Sequence, residues 1–174
     1  MSPAPSSAVQ SPFSKGDAVI YPQHGAGRVI SVEKRTVGEI ERDYLVIDLE
    51  LQDLKVWVPV DEAEQVGVRP PTPADELEDL FELLDDHDVR IPTNFSRRMK
   101  NNQSRMNDGD VWQLAEVVRN LAIRRAKNHL SPSEKTLYTH ARNLLVAEVA
   151  LSMGTDHEGA EAAIDAHLPQ PAER

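Results

Sequence analysis

Residues 44 to 60 read "YLVIDLELQDLKVWVPV", and two alternations in this stretch decide the fold of the first part of the chain. Leu45, Ile47, Leu49 and Leu51 share one face of an extended segment while Val46, Asp48 and Glu50 take the other, the pattern of a half-buried strand. Gln52 and Asp53 form a tight turn, after which Leu54, Val56, Val58 and Val60 point one way and Lys55 and Trp57 the other. The stretch therefore predicts a hairpin. Upstream, "DAVIYP" and "GRVISVEKRTV" supply two more strands, with Gly25 and Gly27 of the intervening "QHGAG" suited to a turn. In the second of these, alternation places Ile30 and Val32 inward and Arg35 outward. Downstream, "EQVGV" offers a fifth short strand. Five short antiparallel strands in about 55 residues predict a small closed or half-open barrel.

The stretch "RPPTPADELEDL", beginning at Arg69, ends the β pattern, because its prolines cannot sit in a central strand and the apolar period changes from 2 to 3.6 after them. Thr72 is positioned to cap a helix with Pro73 at its first position and Asp75 at its third, and the same kind of start recurs with Ser131, Pro132 and Glu134 and with Thr155 and Glu158. Adding starts near Asn94 and Asp110 gives five helices, at 73–85, 94–106, 110–128, 132–153 and 157–167. Val111, Leu114, Ala115, Val118, Leu121 and Ala122 stripe the third; Leu137, Ala141, Leu144 and Leu145 stripe the fourth. The fold class is α+β in two domains: a disordered arm at 1–12, a β domain at 13–69, a linker at 70–72, a compact five-helix domain at 73–168 and a tail at 169–174.

The chain has 174 residues, no cysteine and a formal net charge of -10. Disulfides, thiolate metal sites and Cys nucleophiles are excluded, and no apolar run approaches the roughly 20 residues of a membrane span. The start "MSPAPSSAVQSPFS" lacks the charged and apolar blocks of a signal peptide, so a cytoplasmic protein is expected. The six histidines, among them His24 in the QHGAG turn, contain no i, i+4 pair of the kind a helical metal site uses, and no hydroxyl lies in a nucleophile motif. No enzyme and no cofactor is expected. His24 reads as a loop hydrogen-bonding residue, and Glu158, Glu161 and Asp165 read as a solvated face.

Charge is unevenly spread. Residues 60–89 carry many carboxylates against Arg69 alone, whereas residues 90–130 hold Arg90, Arg97, Arg98, Lys100, Arg105, Arg119, Arg124, Arg125 and Lys127 against Asp108, Asp110 and Glu116. A local basic patch in an acidic chain is the footprint of a surface that meets phosphates; it is equally compatible with cations solvating two helices and pairing with the acidic first helix. Within "TNFSRRMKNNQSRMN", at 93–107, Phe95, Met99, Asn102 and Met106 align on a helical wheel, with Arg97, Arg98, Lys100 and Arg105 over the opposite arc. Phe95 is then either a core residue on a Met stripe or an apolar wedge projecting from the first turn, as minor-groove proteins use Phe or Leu beside Arg and Lys.

Several stretches in order, "FSKGDAVIYPQHGAG", "YLVIDL", "VPVDEAEQVGVR", "PTNFSRRMKNN" and "LSPSEKTLYTHARNLLVAEVA", resemble the CarD family of bacterial RNA polymerase-binding transcription regulators over about Phe13 to Leu168. The resemblance implies a Tudor-like β-barrel that binds the polymerase β subunit and a helical domain that contacts promoter DNA at the upstream edge of the melted region. It implies a polymerase-binding face containing Arg35, Val37, Lys55 and Trp57. It implies DNA contact by Phe95, at the family's wedge position, and by the basic residues after it, Arg97, Arg98 and Lys100; Arg105, Arg119 and Arg125 extend that basic set. The family wedge is commonly Trp, so Phe95 keeps the ring without the indole N–H donor. Trp57 stands where other members can carry a cation, and it reads either as an interface residue or as cover for the barrel's outer wall against the helical domain. The implied partners are the RNA polymerase β subunit and promoter DNA, with no membrane and a monomeric chain. The competing reading is a polymerase- or partner-binding module with no direct DNA contact.

Overall fold

In the computed structural model, which describes residues 11–171, the chain divides into two compact units between Pro70 and Pro71. The first is a curled antiparallel sheet, a half-barrel, of β1 (Ala18–Tyr21), β2 (Gly25–Val37), β3 (Ile40–Leu49) and β4 (Leu54–Pro59) in that spatial order. Its core is Phe13, Val19, Val29, Leu45, Ile47, Leu49, Val58, Val60, Ala63 and Val68. The alternation in β3 and β4 is realised: Leu45 pairs with Val58 and Ile47 with Val56 on the inner face, while Val46 pairs with Trp57 on the outer.

Four details differ from the sequence pattern. The β3–β4 turn takes four residues, Glu50 to Asp53, so β3 ends at Leu49 and Leu51 is 42% exposed in the turn rather than inward. A register shift between Val29 and Ser31 makes Ile30 a bulge; the inward residue there is Val29, and Val32, opposite Leu45, lies where the core runs out and is 44% exposed. Gly27 is no turn residue but a close-approach position inside β2, since a Cβ there would lie 2.8 Å from both the Asp48 carbonyl oxygen and Ile47 Cγ2. The fifth strand is reduced to one bridge, Ile20 N–H to Arg69 O (2.7 Å) and Arg69 N–H to Ile20 O (3.1 Å). A 3₁₀ turn at Val60–Glu62 and the positive φ of Gly67 use up the preceding residues in turns.

The second unit comprises α1 (Leu77–Asp85), α2 (Phe95–Asp108), α3 (Val111–Lys127), α4 (Pro132–Met153) and α5 (His157–Asp165), with a 3₁₀ turn at Ala74–Glu76 leading into α1. Three starts are capped where the sequence places them: Asn94 accepts from Arg97 N–H, Asp110 from Trp112 N–H and Ser131 from Glu134 N–H. Two are not. Thr72 is buried, and its N–H and hydroxyl both donate to Glu148 (3.0 and 2.5 Å), fastening the chain to α4 instead of capping α1. Asp156, not Thr155, caps α5 by accepting from Gly159 N–H at 2.8 Å. The stripes of α3 and α4 meet in a core with Leu80, Leu84 and Ile164; each such aliphatic side chain contributes about 1.5–3 kcal/mol by leaving water. Leu114 is only partly buried against it. Glu161 and Asp165 are not a merely solvated face, because Arg142 donates to both (3.3 Å, and 2.9 and 3.0 Å) and ties α5 to α4. The arm at 1–10 and the last residues of the expected tail, 172–174, lie outside the described residues.

Candidate polymerase and nucleic-acid interfaces

The outer face of the β unit follows from register. Ser31, Glu33, Arg35 and Val37 of β2 pair with Val46, Tyr44, Arg42 and Ile40 of β3, and Lys55 and Trp57 of β4 pair with Asp48 and Val46, so all these side chains leave the sheet on one side. Trp57 reaches across β3: its indole N–H donates to Glu33 (3.3 Å), and the Arg35 guanidinium carbon sits 4.7 Å from its ring centroid. Arg35 also lies 3.7 Å from Glu33. The ring thereby covers Val46, which is 2% exposed, and is itself 40% exposed. Trp57 shields this wall of the sheet and presents an aromatic surface to solvent. Arg35, Val37, Lys55 and Trp57 share this face, and the tip of the β2–β3 hairpin adds Ile40 beside Val37, at 64% and 66% exposed. Ile40 was missed because its alternation begins only after the turn at Gly38. Arg42, on the same face, donates to Glu62 and Asp61, and these hydrogen bonds, Glu62's foremost, raise its pKa.

In the helical unit the first turn of α2 carries the question of Phe95. The ring is 44% exposed, which excludes the core reading; the buried side chains of α2 are Arg98, Asn102 and Met106. Arg98, 4% exposed, is not on the outer arc that the wheel assigned. Its Nη1 donates to the carbonyls of Pro92 (3.2 Å) and Thr93 (2.6 Å), its Nε and Nη2 donate to Glu134 (3.3 and 3.4 Å), and its guanidinium carbon lies 5.9 Å from the Phe95 ring centroid. Glu134, fully buried at the N-terminus of α4, also accepts from Arg124 (Nε to Oε2, 3.2 Å) and from the Ser131 hydroxyl. Burial alone would raise the pKa of Glu134, but the Arg98 hydrogen bond and the charges of Arg98 and Arg124 outweigh it, with help from Ser131, and hold the carboxyl below its usual range. The segment that presents Phe95 is thus fixed from behind by a cation that solvent scarcely reaches.

Two expected DNA contacts are corrected by this geometry. Arg98 is consumed internally, and Arg119 is 7% exposed, donating to the Leu83 carbonyl (3.2 Å) and to Asn120 (3.1 Å); burial lowers its pKa against the opposing pull of Glu116 and Asp86. Both were read outward because a sequence wheel scores Arg as polar and cannot see a buried acceptor. Arg105 is half-buried and donates to Glu116 at 3.0 Å. Arg125 stacks over Tyr138, 4.8 Å from its centroid. The exposed cations near Phe95 are Arg97 and Lys100, joined by Arg90. Arg90 and Arg97 border an open groove with Pro92, Thr93 and Asn94, about 470 Å³ in volume. The sequence counted Arg90 only in the charge balance and Glu134 only as a capping residue; nothing in their spacing marked either as part of a site.

Residues 13–71 match the CarD-like/TRCF RID domain, and residues 79–165 match the CarD C-terminal domain. The Bacillus subtilis protein YdeB, whose name describes it as a candidate transcription factor, is 28% identical over 144 residues, 82% of this chain and 93% of that protein. A transcription-repair-coupling factor of Staphylococcus aureus is 41% identical over 51 residues, 29% of this chain and 4% of the factor. The N-terminal domain of Myxococcus xanthus CarD, solved by NMR, is 25% identical, with a TM-score of 0.30 over 36% of this chain and 84% of that one.

A curled polymerase-interacting β domain followed by a five-helix domain defines a transcription regulator that partners RNA polymerase. The chain belongs to the CarD family, and its first unit is the family's CarD-like/TRCF RID domain. Among the described residues, no group of His, Asp or Glu could hold a metal ion, and no helix is long and apolar enough to cross a membrane.

Proposed function

We propose that this protein binds the RNA polymerase β subunit through the outer face of its sheet and stabilises the promoter open complex by sequence-independent minor-groove contact at the upstream edge of the melted DNA. The observation that carries this reading is Phe95, an aromatic side chain 44% exposed at the first turn of a capped helix, with exposed Arg97 and Lys100 on the same helix and exposed Arg90 in the segment that leads into it. A partly inserted ring unstacks a base step while neighbouring cations hold the phosphates. Arg35, Lys55, Trp57, Val37 and Ile40 form the polymerase side.

The acidic whole fits this division of labour. A non-specific DNA contact at physiological salt has a dissociation constant on the order of 10⁻⁴ to 10⁻⁶ M, and a net charge of -10 weakens it further when the protein is free. Docked on polymerase, the helical unit meets nearby DNA at an effective concentration of about millimolar, enough to fill such a site. The protein works as a monomer in the cytoplasm, on the nucleoid through its polymerase.

The test is open-complex lifetime with wild type, Phe95→Ala and Phe95→Trp, together with thermal midpoints. Because the ring is largely out of the core, Phe95→Ala costs under about 1 kcal/mol, against about 3–5 for a buried Phe. Lifetime rises from Ala to Phe to Trp while midpoints stay together. Equal lifetimes for the three variants refute the wedge and leave a polymerase-binding module without DNA contact.

A further inference from the structure

Between α2 and α3, closed on a third side by Arg90, Ile91 and Pro92, lies a cleft of about 110 Å³. The side chains of Arg90, Arg98, Arg105 and Arg124 line it, and no carboxylate does. Two carboxylates engage these arginines from outside the cleft: Glu134 accepts from Arg98 and Arg124, and Glu116 accepts from Arg105. Among the described residues no acid engages Arg90. Four guanidinium groups against two carboxylates leave two positive charges at the cleft, in a chain of net charge -10. Arg105 and Arg124 use only their Nε groups on Glu116 and Glu134, so their terminal NH₂ groups have no acceptor among the described residues.

Asn102 lines the same cleft. It is 5% exposed, yet its side-chain amide has no hydrogen-bond partner among the described residues. Its amide atoms are not sealed from solvent, so a group in the cleft reaches them. Buried polar groups are nearly always paired, and here the partner has to come from the cleft. The space fits three or four waters of about 30 Å³ each, and it is well below the roughly 300 Å³ at which pockets for nucleotide-sized ligands begin. Water fills the volume but leaves the charge uncompensated. A phosphate group supplies both, as one tetrahedral unit carrying about -1.5 to -2, with oxygens suited to guanidinium donors arriving from three sides.

We propose that the α2–α3 cleft is a phosphate-binding site, in which Arg90, Arg105 and Arg124 hold the oxygens and the Asn102 amide donates to the one that enters furthest. The phosphate is that of a free ion or of a nucleic-acid backbone. The site stands on these residues and not on the Phe95 wedge, although Arg90 also borders the groove beside Asn94.

Thermal midpoints and calorimetric titration of the full chain with inorganic phosphate, dimethyl phosphate and acetate, each against chloride at equal ionic strength, test the assignment. Arg90→Gln alters an exposed side chain, and Asn102→Ala puts the best helix former inside α2, so both variants fold. Phosphate is expected to bind with a Kd of about 1 mM or below and to raise the midpoint, with acetate at least tenfold weaker. Asn102→Ala should weaken phosphate about tenfold, the scale of one hydrogen bond to a charged group, and Arg90→Gln should weaken it as well. Asn102→Asp, which supplies an anion from within, should abolish the phosphate-dependent shift. Dimethyl phosphate, with two ester arms like a backbone phosphate, assigns the site to nucleic acid if it binds within tenfold of phosphate and to the free ion if it binds more weakly. Neither outcome depends on whether Phe95 sets open-complex lifetime. Three results overturn the proposal: no shift beyond that of chloride up to about 50 mM phosphate, where a millimolar site is filled; an equal shift in wild type, Asn102→Ala and Asn102→Asp, which is the general stabilisation by excluded anions; or acetate binding as tightly as phosphate.

Discussion

Glu134→Gln is the substitution that best probes how Phe95 is held. The carboxylate is fully buried and takes hydrogen bonds from Arg98 Nε and Nη2, Arg124 Nε and the Ser131 hydroxyl. Gln matches its shape but keeps only one acceptor oxygen; its NH₂ group faces guanidinium donors and its charge is gone. Arg98, 4% exposed, is left as a buried cation with only the Pro92 and Thr93 carbonyls. Removing one partner of a buried pair costs about 3–5 kcal/mol. The two remaining acceptors place this case at the lower end, about 3 kcal/mol, a large share of the 5–15 kcal/mol that holds a typical domain together. Urea unfolding should show a lower midpoint with an unchanged m-value. Because the same guanidinium holds the carbonyls on either side of Thr93, amide exchange at Arg97 should rise by more than the global loss explains. Adding Arg98→Met should recover most of the stability, since an apolar replacement leaves no stranded charge, without restoring exchange protection near Phe95. A loss under about 1 kcal/mol in Glu134→Gln would refute the reasoning by showing that Arg98 escapes to water at little cost. The pH dependence has a definite sign. The folded carboxyl titrates below its unfolded value, so its contribution is complete above about pH 4.3 and disappears as pH falls through the lower folded value. The stability difference between wild type and Glu134→Gln should narrow over that acid window.

Arg35→Glu should abolish polymerase binding in a direct binding titration while costing under about 1 kcal/mol in stability, because what it loses in the fold is an exposed stacking contact on Trp57; retained binding by the folded variant would move the interface elsewhere. Gly27→Ala should destabilise the β unit by about 1–3 kcal/mol in denaturant melts, since the new methyl meets the Asp48 carbonyl oxygen, which is backbone and cannot swing aside. A neutral result there would mean that β2 and β3 can part without loss.

The fold was legible where one physical rule acted alone. Alternation in 44–60 gave the central hairpin because each inward residue meets an inward partner, Leu45 with Val58 and Ile47 with Val56. Asn94, Asp110 and Ser131 gave three helix starts because a cap is a local bond. Reading failed where a distant group competed for a residue. Thr72 has the sequence context of a cap, but Glu148, 76 positions away, offers both of its donors a buried acceptor. Ile30 fits the inward phase until the bulge lengthens one strand relative to its partner. Neither competitor leaves a trace in the neighbouring sequence.

The site failed in the same way, and the failure is informative about how such a surface is built. Four cations in 93–107 and more in its surroundings suggest a wide basic patch, yet Arg98 and Arg119 face inward and Arg105 is neutralised by Glu116. What remains exposed near Phe95 is Arg90, Arg97 and Lys100, a narrow set. An aromatic wedge gains from a few cations only if the ring is already in position, because each rotamer-rich side chain ordered on binding costs about 0.5–1.5 kcal/mol. Turning Arg98 inward exchanges one phosphate contact for a fixed Pro92–Asn94 segment, a capped first turn and a guanidinium beside the ring. Under the proposed function, with the protein tethered to polymerase and effective concentration supplying much of the affinity, a rigid wedge is worth more than an additional positive charge.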